Sequence, residues 1–218
     1  MTGFTSLAPF NRLRTLFLTC GLLAPLVYII TDILAGLRYP DYSFTAQAVS
    51  ELFAIGAPTS HLVVPLFSLA SVLFLALAFG VWQSSNGRLL LRVLGLMIAG
   101  NAINSLVLWN FFPMHMRGAA LTFTDTMHVI LAINPFVLAS IALGVAAFPS
   151  WFRFYSIGTI LILVALASLA FSYVPEVAAN QPTPWFGLSE RISQYAHGLW
   201  HAMLAIVLLT EQSVQRAS

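Results

Sequence analysis

Residues 59–83 read TSHLVVPLFSLASVLFLALAFGVWQ, a run of 25 residues that contains no Asp, Glu, Lys or Arg. A helix that crosses a bilayer needs about 20 mainly apolar residues, so this run is long enough to span a membrane. Its apolar residues do not alternate with polar ones, as they would in a strand of a membrane barrel. Because backbone polar groups must be satisfied inside lipid, the run predicts a spanning helix.

Five further apolar runs of similar length occur along the chain. Together with the first they predict spans at residues 15–37, 59–83, 90–112, 121–148, 153–174 and 190–211. The fold class that follows is all-α, a six-transmembrane-helix bundle. The length predicts a single integral-membrane domain over residues 1–218.

The composition excludes several classes of protein. Hydrophobic residues make up 59% of the 218 residues, charged residues only 7%, and the mean hydropathy is +0.89. A soluble chain carries about 25% charged residues, so a soluble enzyme and a disordered chain are excluded. The nine basic residues are all arginines scattered along the chain, which predicts no nucleic-acid partner and leaves the lipid bilayer as the expected surroundings.

The arginines also predict an orientation, because basic residues concentrate on the cytoplasmic side of a membrane protein. Only Arg38, Arg117 and Arg191 fall on one side of the predicted bundle. The six on the other side are Arg12, Arg14, Arg88, Arg92, Arg153 and Arg216. We therefore predict a multi-pass protein of the plasma (inner) membrane with both termini in the cytoplasm.

The first outer loop contains a short amphipathic pattern. Phe44, Ala48 and Leu52 recur at helical spacing, and Gly56 and Pro58 follow them. This pattern predicts a short amphipathic helix that lies at the outer membrane interface.

The last span has one polar face. Glu190, Gln194, His197 and His201 fall within an arc of about 60° on a helix that is otherwise apolar. His197 and His201 are four residues apart, so their rings can converge on one ion, and neutral imidazole is a common metal ligand. This spacing predicts two ligands of a metal site.

The fourth span can supply a third ligand, because Asp125 and His128 lie on one face of its first turns. His128, His197 and His201 then form a predicted three-histidine zinc site with one open position. Asp125 and Glu190 are the candidate catalytic residues, which would orient a histidine or move protons of a bound water. Zinc would lower the pKa of that water to about 7, as hydrolysis requires.

Other interpretations of these residues stay open. The same side chains can form a structural or proton-handling cluster without metal. A b-type haem would need histidines on opposing helices, such as His128 and His197. Copper is a further, weaker alternative, because Met114, His115 and Met116 offer thioether and imidazole ligands.

Three stretches carry a family resemblance. They are Arg38-Tyr-Pro-Asp-Tyr-Ser running on to Ser50-Glu51-Leu52, then Phe112-Pro113 before the fourth span, then Gly187-Leu-Ser-Glu190-Arg191-Ile192. Their order and the six-span layout resemble the bacterial integral-membrane family known as domain of unknown function 998. The resemblance implies the topology and no activity. The matching positions, all predicted at the outer face, are Tyr42, Ser50, Glu51, Pro113, Glu190 and Arg191.

A second resemblance concerns chemistry alone. Thr124-x-x-x-His128 with Asp125, followed by His197-x-x-x-His201, is similar to the zinc-binding stretches of the alkaline ceramidase superfamily of membrane hydrolases. Those proteins have seven spans, a Ser in place of the Thr, and an Asp outside the first stretch. The resemblance therefore implies an analogy between sites.

These observations favour a zinc-dependent intramembrane hydrolase of a lipid amide or ester at the outer leaflet. Arg117 and Arg191 would bind the head group of the lipid substrate, and Glu51 and Tyr42 complete the candidate substrate-binding set. The alternatives are a transporter or small-ligand or proton-relay membrane protein, and a non-catalytic accessory membrane protein.

Overall fold

The computed structural model describes residues 7–148 and 151–217, and the side chains of residues 12–148 and 151–211. Pro149, between the fourth and fifth predicted spans, and the Arg216 side chain used for orientation lie outside the described residues. The helices are α1 (Leu7–Arg38), a 3-10 helix (Val49–Phe53), α2 (Ser60–Gln83), α3 (Leu89–Phe111), α4 (Phe123–Ala132), α5 (Pro135–Ala147), α6 (Trp151–Ser172), α7 (Val174–Ala178) and α8 (Phe186–Ala217). Within the described ranges there is no β-strand.

The described helices include six segments that are long and apolar enough to cross a membrane, which confirms the all-α, six-span prediction. In chain order these spans are Arg12–Arg38, Ser60–Gln83, Leu89–Phe111, Phe123–Ala147, Trp151–Ala178 and Phe186–Glu211. Neighbouring spans pack on one another, and α8 returns to pack on α1, so the six spans close into a ring.

Many large apolar side chains lie on the outside of this ring. Leu16, Leu161 and Phe154 are 58%, 65% and 73% exposed, which suits a surface covered by lipid. The interior holds side chains such as Trp200, which is fully buried and whose indole N–H donates to Ser156 Oγ at 2.9 Å. This bond joins α8 to α6 at the centre of the bundle.

The two ends of the bundle differ in the length of their connecting segments. One end, called the loop end below, carries residues 39–59, 112–122 and 179–185. The opposite end carries the short turn at residues 84–88. The predicted site residues lie at or toward the loop end.

The fourth span is broken, although the sequence predicts one helix over residues 121–148. Pro135 has no N–H and its ring excludes a normal bond to the carbonyl of Leu131, four residues earlier. Two other groups donate to this carbonyl: Asn104 Nδ2 at 2.9 Å and Asn134 N at 3.3 Å. Asn134 precedes the second half, where its Oδ1 accepts from Phe136 N at 3.3 Å. The break therefore separates α4 from α5, and an amide side chain of α3 donates to a carbonyl at the break.

The two halves of this span pack differently. α5 packs between α3 and α6, whereas α4 contacts α3 and has almost no contact with α6 or α8 in the described part of the chain. The ring is therefore closed by α5 and left open at the loop end between α4 and α6.

The first loop contains a short helix, as the sequence predicts. It is the five-residue 3-10 helix Val49–Phe53, which ends before Gly56 and Pro58. Its apolar side chains are buried against Ala35 and Phe67 of the bundle. The helical spacing of Ala48 and Leu52 therefore reflects contact with the protein interior instead of the membrane interface.

Candidate ligand-binding site

A cavity of about 130 Å³, called the chamber below, lies at the loop end among α1, α2, α3, α4 and α8. A cavity of this size can take a compact group, since ~150 Å³ accommodates benzene in an engineered protein. The polar side chains on its wall include Asn101, Asn104, Ser105, His128, Glu190 and Gln194.

A second cavity of about 180 Å³, called the groove below, lies in the gap between α4 and α6. Its apolar wall includes Leu121, Val129, Ala167, Ala170, Phe171 and Val174. The chamber and the groove share wall residues, namely Ser50, His128, Ala132, Glu190 and Gln194. The two cavities are therefore adjacent, with polar groups between them.

The polar face predicted for the last span lies along the chamber. Glu190, Gln194 and His197 all line it, and the first two also line the groove. His201, one turn further on, is fully buried and packs against Phe74, with ring centroids 4.9 Å apart. The face thus leads from the cavities at the loop end into the packed centre of the bundle.

Glu190 is held by the short 3-10 helix. Its Oε2 accepts from Val49 N at 2.8 Å. In the described part of the chain its Oε1 accepts no hydrogen bond and no basic side chain forms an ion pair with it. The carboxylate is therefore positioned by the backbone, with one oxygen left for another partner.

His128 lies on the wall between the chamber and the groove. Its Nδ1 is 2.7 Å from Phe112 O, and a carbonyl only accepts, so Nδ1 carries the proton and Nε2 is an acceptor. The ring also packs near Phe53, with centroids 5.9 Å apart. When the ring is neutral, this arrangement leaves Nε2 as an acceptor for a hydrogen bond from a ligand.

The three predicted metal ligands do not form a group in the structure. Among the described residues, no three His, Cys, Asp or Glu side chains come together in a way that could hold a metal ion. His197 and His201 contact each other, with ring centroids 4.5 Å apart, and the Nε2 atoms of both are buried without a hydrogen-bond partner. The predicted zinc site therefore gains no support from the geometry and stays a hypothesis.

Both carboxylate oxygens of Asp125 accept hydrogen bonds at the start of α4. Oδ1 accepts from His115 N at 2.7 Å. Oδ2 accepts from Thr122 N and Oγ1 at 2.9 and 2.8 Å and lies 2.9 Å from His115 Nδ1. The side chain thus caps the start of α4 and joins it to the preceding loop. Its predicted catalytic role is untested.

Arg191 and Asp32 form a buried ion pair between α8 and α1. Nε and Nη2 of the guanidinium donate to the two carboxylate oxygens, each at 2.9 Å. The two side chains are only 6% and 0% exposed. Tyr195 donates to the same carboxylate. Such a bidentate pair fixes α8 firmly against α1.

The remaining donors of Arg191 bind the first loop. Nη1 donates to the carbonyls of Phe44, Gln47 and Gly187, and Nη2 donates to Tyr42 Oη at 2.5 Å. Burial raises the pKa of Tyr42, and the nearby guanidinium opposes this effect. Every N–H of Arg191 is thus engaged inside the protein, which leaves none for the head group that the sequence analysis assigned to it.

Glu51 and Arg117 form a second bidentate pair. Nε and Nη2 of Arg117 each lie 2.8 Å from a carboxylate oxygen of Glu51, whose side chain is 2% exposed. Arg117 also donates to Ala46 O at 2.9 Å and to Gln181 O at 3.4 Å. This pair ties the three loop segments together and places Arg117 on the wall of the groove.

Several site residues were missed by the sequence analysis as parts of a cavity. Ser50 and Gln194 line both cavities, and Asn101 and Asn104 line the chamber beside the broken span. The Asn-Pro pair at residues 134–135 was the available signal for the break. Its effect on the opening between α4 and α6 depends on packing, which a single sequence does not reveal.

Comparison with known proteins finds a family but no characterised relative. No curated protein and no solved structure matches the chain. The resemblance to the alkaline ceramidase superfamily therefore gains no support and stays an analogy between motifs. Residues 22–207 match the model of the family described as protein of unknown function DUF998. Because this match covers most of the chain, the protein belongs to the DUF998 family.

Proposed function

We propose that this protein binds an amphiphilic, lipid-like molecule, with its polar head in the chamber and its apolar chain in the groove. The observation that carries the proposal is the gap between α4 and α6, which opens an apolar groove beside a chamber with polar walls. Ligand pockets typically combine an apolar lining with a few placed polar groups.

The broken fourth span supports this proposal. Broken helices at membrane depth are tolerated where they are buried in protein or line a cavity. Here Ala132, at the end of α4, lines both cavities, and the freed carbonyl of Leu131 is held by Asn104. The break lets α4 follow a different path from α5, so the groove is open only at the loop end.

The site is accessible from the bilayer in this proposal. Ala167, Ala170 and Phe171 lie on a spanning helix, and they face a helix that does not pack against it. A chain from a membrane lipid can enter such a gap sideways without leaving an apolar environment. The arginine distribution supports placing the loop end, and hence the site, at the outer leaflet of the cell membrane, with both termini cytoplasmic.

Zinc-dependent hydrolysis of a lipid amide or ester is a narrower hypothesis about the same site. It needs a third ligand beside His197 and His201, as well as a water near Glu190 or Asp125. We propose binding without assigning hydrolysis, because the cavities support a ligand while no three-ligand group is found among the described residues. Elemental analysis of the purified protein distinguishes binding alone from zinc-dependent hydrolysis, since the hydrolase requires about one zinc per chain.

Photo-crosslinking tests the proposed binding. A dodecyl-chain amphiphile with a diazirine on its chain is irradiated with the protein in lipid nanodiscs, and the labelled peptides are identified by mass spectrometry. Labelling is expected on α4 and on the groove side of α6.

Matched variants make this test specific. Ala167→Phe fills the groove and should greatly reduce labelling, because Ala167 is on the groove wall. Ala165→Phe adds the same side chain at an exposed position on the opposite face of α6 and should leave labelling unchanged. Equal labelling in both variants, or labelling spread evenly over the lipid-facing surface, would contradict the proposal.

A further inference from the structure

The charges around the chamber are unbalanced. Asp32 is neutralised by Arg191 and Glu51 by Arg117, both in bidentate pairs. Glu190 has no such partner in the described part of the chain, and one of its oxygens accepts no hydrogen bond. A carboxylate without a cation is costly in a mostly apolar site, and either protonation or a positively charged occupant removes this cost. A cationic ligand in the chamber therefore gains the attraction of Glu190, which a neutral ligand does not.

The rest of the chamber wall favours the same kind of occupant. No arginine among the described side chains lies on this wall. Aromatic rings attract cations through their electron-rich faces, and this attraction strengthens when water is excluded. The aromatic residues on the wall are Tyr28, Phe53, Phe74, Trp109 and Tyr195.

We propose that the head group held in the chamber is an organic cation, an amine or a quaternary ammonium, with Glu190 as its counter-ion. This inference rests on the proposed function, because it names the chemistry of the ligand that the chamber and groove would bind. Neutral His128 and Gln194 on the wall add acceptors for an amine, and they cost nothing electrostatically to a quaternary ammonium.

The size of the chamber agrees with this class of head group. A volume of about 130 Å³ takes a compact group but leaves no room for a sugar or a second chain beside it. The groove starts at Glu190 and Gln194, which line both cavities, so the chain of such a molecule can leave the chamber toward α6.

Competition against the photo-crosslinking probe tests the inference. The competitors share a dodecyl chain and differ in the head: trimethylammonium, neutral glycerol ether and sulfate. The trimethylammonium compound is expected to block labelling at a concentration about tenfold below that of the neutral compound, and the sulfate is expected to be weakest.

Two glutamate variants show whether Glu190 is responsible. Glu190→Gln should remove most of the tenfold preference while labelling by the probe persists. Glu211→Gln makes the same chemical change at the opposite end of the bundle, where Glu211 is partly exposed and pairs with Arg88, and should keep the preference.

A third variant tests the aromatic wall without changing charge. Phe74→Leu should weaken competition by the trimethylammonium compound several-fold and leave the neutral compound unaffected. Equal competition by the cationic and neutral compounds, or a preference for sulfate, would overturn the cationic head group while the proposed binding stands. Absence of probe labelling in the groove of the unmodified protein would instead overturn the proposed function, and this inference with it.

Discussion

The buried pair of Asp32 and Arg191 is the polar contact whose disruption should affect stability most. The variant Asp32→Asn keeps the shape of the side chain but removes its charge. Arg191 then stays buried, 6% exposed, without a counter-ion, and an amide N–H2 faces one of its N–H groups. Breaking one side of a buried pair costs about 3–5 kcal/mol, because the other charge remains uncompensated.

This cost corresponds to a measurable change in thermal stability. For a chain of this size, 1 kcal/mol shifts the unfolding midpoint by about 2–4 °C, so Asp32→Asn should lower it by about 6–20 °C. The assay is thermal unfolding of the purified protein in one detergent at fixed protein concentration. Asp41→Asn is the matched control, because Asp41 is exposed and its positive φ of 58° suits Asn equally well.

A second substitution separates loss of the pair from local damage. Adding Arg191→Gln to Asp32→Asn removes the uncompensated charge and should recover part of the lost stability. If Asp32→Asn unfolds within about 2 °C of Asp41→Asn, a shift expected from less than 1 kcal/mol, the buried pair does not contribute about 3–5 kcal/mol to stability.

Two further predictions concern helix packing at the loop end, and thermal unfolding measures both. Asn104→Leu removes the shorter of the two hydrogen bonds to the Leu131 carbonyl and should cost about 0.5–1.5 kcal/mol, whereas Asn110→Leu removes a bond to Ser68 Oγ at an exposed position of the same helix and should cost less. Gly187→Ala would place a methyl group against backbone carbonyls of the first loop and should cost about 1–3 kcal/mol. Its control is Gly158→Ala, whose added methyl group meets no atom within 4 Å and should be neutral or slightly stabilising. If a variant and its control lose similar amounts of stability, the corresponding contact does not stabilise the protein as predicted.

The number of spans could be predicted because lipid imposes a strict rule on a single segment. A run such as residues 59–83 must be helical and must cross the bilayer, whatever its neighbours are. The polar face of the last span was predictable for a similar reason, since the arc shared by Glu190, Gln194 and His197 depends only on helical periodicity.

The partners of the polar residues could not be predicted in this way. Helical spacing places His197 and His201 together, but it does not say whether His128 reaches them from another span. The same limit applies to Arg191. The sequence predicts that it binds a head group, whereas in the structure it pairs with Asp32, 159 residues away in sequence. Contacts between distant segments depend on how the helices pack.

The short helix of the first loop shows a different difficulty. An amphipathic pattern indicates that one face is covered by apolar groups, and either lipid or protein can provide them. Here Leu52 and Phe53 are covered by the bundle itself. The break in the fourth span was within reach of sequence analysis, because Pro135 follows Asn134 inside an apolar run.

A density map of the protein in lipid nanodiscs would show whether the groove and chamber hold a lipid-like molecule. We expect an elongated density between α4 and α6 that runs along Ala167 and Ala170 and ends in a compact density beside Glu190. A map in which α4 packs tightly against α6, so that the groove is closed and the chamber is cut off from the bilayer, would contradict this expectation.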